Sequence, residues 1–244
     1  MITTLVLAAI LSTPVQDKIM STVDKSLYVS VARLDVEAVV AWVQEHGTPD
    51  VGAGTVEPLL HYASRWWSML ALLLDLGADP TTVDARGNTV AHVMWLRSLK
   101  GIGAEVRAMN LVNAVRAGLD INTGNDEGDT ILHVLCRDGD FGDIALAMSL
   151  GSSNSIVNRS GRTPLEELVM TEQRFDDRLV SGPEVVGFRE KIRLIGIDLV
   201  QDAGGLEILG RAISVATKAN RPHVEIVVDE IRQVSGRRVA PSSR

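Results

Sequence analysis

The chain has 244 residues, enough for one large domain or two small ones with a substantial core. Hydrophobic residues make up 45% and charged residues 23%, which excludes a disordered chain, and a net charge of −7 makes a phosphate backbone a poor partner. The one cysteine, Cys136, excludes an intrachain disulfide and a Cys-based metal cluster.

Aromatics are only 4% while Leu, Val, Ala and Ile dominate, a mix that suits helix packing. The N-terminus, "MITTLVLAAILSTPVQDK", has an apolar run over residues 2–11 that resembles a signal-peptide core. No basic residue precedes it, and the first is Lys18. Residues 1–25 are therefore expected to form an apolar capping helix, with the protein in the cytoplasm. Export through this segment is the alternative. No stretch offers the roughly 20 apolar residues a membrane span needs.

In chain order, "SLYVSVARLD" (26–35) opens a helix, and "VVAWVQEHGTPD" (39–50) is a second one stopped at Gly47. "PLLHYA" (58–63) starts the next pair, and "LLLDLGADP" (72–80) ends it at Gly77. "DARGNTVAHVM" (84–94) leads to "LVNAVRAGLDI" (111–121), stopped at Gly118. "NDEGDTILHVL" (125–135) leads to "IALAMSLGSS" (144–153), stopped at Gly151. "NRSGRTPLEEL" (158–168) leads to "IRLIGIDL" (192–199), stopped at Gly196. Glycine after a helix supplies the left-handed residue that closes the last turn. The stretch 204–233 reads as two more helices, with Pro222 opening the second.

These segments repeat one frame. Thr89, Thr130 and Thr163 each follow a Gly by two residues and an Asp or Asn by five, and the last two are 33 residues apart. His61, His92 and His133 occupy one column, with Glu166 in their place in the last unit. The pattern resembles the ankyrin repeat, a 33-residue unit with a T-P-L-H-x-A start and a G-A-D end. The resemblance implies an all-α solenoid of five to six helix–turn–helix units with short hairpin loops and helical end caps. Five repeats would fill 26–198, a degenerate sixth or a helical cap 199–234, and a basic tail 235–244. First helices are expected at 90–97, 131–138 and 164–170, and second helices at 105–117, 142–150 and 185–195. Irregular loops fall at 97–109 and 171–183, where the spacing exceeds the frame by eight and twelve residues.

The chemistry-bearing types in the frame have structural work. Asp84, Asn125 and Asn158 are turn formers, Gly permits the tight turn, and Thr caps a helix. Three histidines suggest a metal. Equivalent residues of stacked units, however, lie roughly 10 Å apart, and a Zn–N bond is only about 2.0–2.1 Å. The resemblance instead implies that this His ties neighbouring turns together by hydrogen bonds. Cys136 reads as a small core residue, and "GIGAE" (101–105) lacks a phosphate-loop spacing. No nucleophile–base set, metal set or cofactor motif emerges.

The frame projects a partner surface onto the outer positions of the first helices: Arg33, Tyr62, Arg65, Trp66, Leu96, Arg97, Arg137, Asp138 and Glu167. Of Trp66 and Trp67, the frame places Trp66 outside and its neighbour in the core. Arg33, Arg65, Arg97 and Arg137 form either a basic ladder for an acidic segment of a protein partner or ordinary solubilising charge. The expected function is non-catalytic protein binding, as in an antitoxin-like immunity protein that inhibits its partner. A secreted effector acting on a host protein is the alternative. An enzyme with its site in 171–183 or 199–244 is the third reading.

Overall fold

The turn at 125–130 shows how the sequence builds each unit. Asn125 Oδ1 accepts from the N–H of Glu127 at 2.9 Å and of Asp129 at 3.1 Å. Gly128 takes a left-handed φ of 73°, which lets its N–H reach Asn125 O at 2.8 Å. Thr130 then ends the turn in an extended conformation as the N-cap of a helix. The turns at 84–89 and 158–163 repeat these bonds. Asp84 Oδ1 accepts from Arg86 and Asn88, and Asn158 Oδ1 from Ser160 and Arg162. The turn reading of these residue types therefore holds at bond level.

A computed structural model describes residues 22–96, 102–171, 183–201, 204–218 and 224–236. Among these the protein is all-α, with twelve helices and no strand; one isolated bridge joins Val83 and Thr89. The chain divides into two compact units between Asp120 and Ile121. The boundary lies within the span expected to hold five repeats, and it falls between two of the expected units.

The first unit contains α1 (Thr22–Arg33), α2 (Val36–His46), α3 (Leu59–Ala63), α4 (Trp67–Asp75), α5 (Val90–Leu96) and α6 (Ala104–Arg116). Here α1 packs on α2 and α3, α3 on α5, and α4 on α6. The second contains α7 (Ile131–Asp138), α8 (Phe141–Ser149), α9 (Pro164–Thr171), α10 (Pro183–Gln201), α11 (Gly205–Lys218) and α12 (Val224–Ser235). There α7 packs on α9 and α9 on α11, while α8 packs on α10 and α10 on α12. In each unit, first helices stack on first helices and second on second. A lone helix pair could not cover its own apolar face; stacking covers it. All of Ile131–Cys136 is buried, and Phe188, Ile192, Ile195 and Leu199 make one buried stripe along α10.

Helix ends follow the sequence signals. At Gly77, Gly118 and Gly151, φ is 91°, 111° and 96°. The next residue's N–H reaches back across the last turn at 2.9–3.1 Å: Ala78 to Leu73, Leu119 to Ala114, Ser152 to Ala147. These are Schellman closures. Asp140 caps α8 by accepting from Asp143 N at 2.9 Å.

Gly196 behaves differently. It lies inside α10, which runs on to Gln201, so it is not a helix stop. The apolar stripe continues past it to Leu199, and the glycine serves packing instead. A Cβ there would stand 3.3 Å from Val234 Cγ1 of α12. The expectations for residues 1–21, for Arg97, for the 97–101 part of the first insertion and the 172–182 part of the second, for Pro222 and for 237–244 lie outside the described residues.

Candidate partner-binding surface

The histidine column is built into the turns. Thr130 N–H donates to His133 Nδ1 at 3.1 Å, so Nδ1 is the unprotonated nitrogen and the Thr130 hydroxyl donates to it at 2.9 Å. Nε2 then carries the proton and donates to Arg162 O in the next turn at 3.0 Å. His92 receives the same two bonds from Thr89, and His61 Nε2 donates to Asn88 O at 2.8 Å. Burial pulls the His133 pKa below its ordinary 6.5 and keeps the ring neutral; the bond to Arg162 and the charges of Asp129 and Glu167 oppose that shift. Among the described residues no group of three His, Cys, Asp or Glu is placed to hold a metal ion. Burial likewise raises the Cys136 thiol far above its usual range.

Glu166 shows why the column changes. Its Oε2 accepts from Thr163 N–H at 2.8 Å, as His133 Nδ1 does from Thr130. A carboxylate cannot donate onward to another carbonyl. Instead it pairs with Arg211 Nε of α11 at 3.0 Å, and Arg211 Nη2 donates to Gly161 O at 2.8 Å. A helix, not another turn, packs on this unit, and the residue type matches.

The projected surface needs correction in several places. Tyr62 is buried, not exposed. Its ring lies 5.3 Å from that of Tyr28 and 5.6 Å from that of Trp66, and burial raises its hydroxyl pKa against the lowering effect of Arg65. The helix α3 ends at Ala63, so Arg65 and Trp66 stand in the connection rather than on the helix face. Trp66 is half-buried as the N-cap residue of α4, whereas Trp67 is 47% exposed, the reverse of the projection. Glu167 is buried as well. Arg33 and Asp138 are exposed, as projected, at the ends of α1 and α7. Leu96 is the last residue of α5.

The arginines are not a free ladder. Arg65 Nη2 pairs with Glu57 at 2.7 Å, its Nη1 donates to Tyr62 O at 2.9 Å, and its guanidinium sits 4.7 Å above the Tyr62 ring. Arg137 Nη2 pairs with Asp129 at 2.6 Å, and its Nη1 lies 4.0 Å from Glu167. Burial alone would lower the Arg137 pKa, but these carboxylates outweigh it and the net shift is upward. Asn158 Nδ2 donates to both Asp129 Oδ1 and Glu167 Oε1, at 2.8 and 2.9 Å. Sequence reasoning missed Glu57 and Asp129. The signal existed: each lies eight residues before its arginine, directly ahead of the Pro58 or Thr130 that opens the unit.

Neither a protein-family model nor a curated protein matches this chain. No helix among the described residues is long and apolar enough to cross a membrane.

Proposed function

We propose that the chain is an ankyrin-type repeat protein whose role is to bind a protein partner without catalysis, inhibiting it in the manner of an immunity protein. One observation carries this reading: three successive turns use the same Asp/Asn, Gly and Thr hydrogen bonds, and two histidines and a glutamate complete them. The residue types that chemistry would need are consumed by the scaffold, which leaves outward-facing side chains for recognition. In the first unit Trp67 is exposed, beside a half-buried Trp66 and an Arg65 already paired with Glu57. Arg and Trp are enriched at binding hot spots.

The test is capture of a stoichiometric protein from the native cells by tagged protein, with Trp67→Ala as the comparison. Loss of about 2 kcal/mol, or roughly thirtyfold in affinity, is the hot-spot expectation. Equal capture by Trp67→Ala, with an unchanged melting temperature, removes this surface from the account. Failure to recover any stoichiometric protein counts against the binding role itself.

A further inference from the structure

In the second unit, Arg162 of the 158–163 turn and Arg211, Ser214 and Lys218 of α11 border an open cleft of about 300 Å³ together with Ser160 and Glu166. On a protein of net charge −7 this cleft holds three cations and one carboxylate. Glu166 is bound to Arg211, and Arg162 leans on Glu167 at 3.4 Å while 39% exposed. Lys218 is exposed and makes no ion pair among the described residues. Arg65 and Arg137, by contrast, are held by Glu57 and Asp129. With the Glu166–Arg211 pair set aside, Arg162 and Lys218 leave this cleft net positive.

We propose that this cleft binds an acidic segment of a protein partner, in an extended conformation with carboxylates three residues apart. This rests on the protein-binding reading above and moves its charged contact to the second unit. Arg211, Ser214, Val215 and Lys218 follow at helix spacings of three, four and seven, so they share one face of α11. Seven residues of helix place the two cations about 10 Å apart along the axis. A polyproline-type segment rises about 3.1 Å per residue and returns to the same side every third residue, so its carboxylates match that distance. The hydroxyls of Ser160 and Ser214 can donate to the same oxygens, and the open cleft admits a chain passing through.

The test uses the full-length protein and a fluorescent peptide carrying two glutamates three residues apart, followed by anisotropy. Binding should weaken as salt rises. It should fall at least about tenfold in Lys218→Glu, the loss of one charge-assisted hydrogen bond. Ser214→Glu, an exposed change on the same helix face, should weaken it in the same direction, and a peptide with glutamine in both places should not bind. Peptide binding is read without the native partner, so failure here is separable from failure of the tryptophan surface, which Trp67→Ala tests by capture. Undiminished binding in both α11 variants overturns the proposal, as does absence of binding by the wild type. Displacement of the peptide by an equal concentration of inorganic phosphate also overturns it, because the cleft would then recognise a small anion rather than a chain.

Discussion

Leu34 is the one non-glycine residue with positive φ among the described residues, at 58°. It closes α1 as glycine closes the other helices: its N–H reaches Val31 O at 3.1 Å, and Asp35 N–H reaches Ser30 O at 3.0 Å. A left-handed L-residue costs about 1–2 kcal/mol, and glycine gives back about 0.4–1 kcal/mol through unfolded-chain freedom. Leu34→Gly should therefore leave stability within about 1 kcal/mol of the parent in urea melts, because relief of strain is offset by glycine's unfolded-chain freedom and by lost contacts of a side chain only 45% exposed. His133 makes the opposite kind of statement. Its folded pKa lies below 6.5, so the unfolded chain binds the proton first as pH falls. Its contribution is complete above pH 6.5 and is lost as pH drops toward the folded pKa. His133→Gln should remove that part of the slope in stability measured between neutral and mildly acidic pH.

Between elements, the turns are tied by backbone as well as by histidine. Arg159 N–H donates to Glu127 O at 2.9 Å. Gly128 and Gly161 share the same left-handed conformation, at 73° and 71°, yet a Cβ at 128 would lie 2.9 Å from Arg159 N and one at 161 would meet nothing within 4 Å. Gly161→Ala should cost only the backbone strain, about 1 kcal/mol. Gly128→Ala should cost up to about 3 kcal/mol because the next turn must also shift. Equal losses for the two in thermal melts would show that the turn-to-turn contact adds nothing. Both glycines were legible in the repeat frame; which one faces a neighbour was not, because that depends on what stacks next to it.

At the scale of the whole molecule, charge and apolar surface divide between the two units. The tryptophans beside Arg65 belong to the first unit, and the net-positive cleft belongs to the second. Capture dominated by Trp67 should persist at high salt, because burial of aromatic area is not screened, whereas the acidic-peptide affinity should fall. Measuring both at low and high salt tells which surface leads. A net charge of −7 hides the second of these surfaces entirely, since the basic cleft joins residues about fifty positions apart, Arg162 and Arg211.

Periodicity and turn chemistry by themselves determined the positions of helices such as α7 and α9 and the left-handed glycines at 87, 128 and 161; the all-α class and the tie made by His61 and His133 came from the resemblance those repeats carry. These are local devices, repeated, and repetition makes local rules readable. Three things waited for the tertiary structure: the outward direction of side chains near Tyr62, where α3 stops after five residues; the packing of Gly196, inside α10, against Val234 on a later helix; and the partners of Arg65, Arg137 and Arg211. Each depends on which group packs against which, and a charge or a small side chain takes its meaning from the neighbour that packing supplies. A repeat frame predicts where a residue stands, but whether its charge remains available is decided by the carboxylate that folding brings to it.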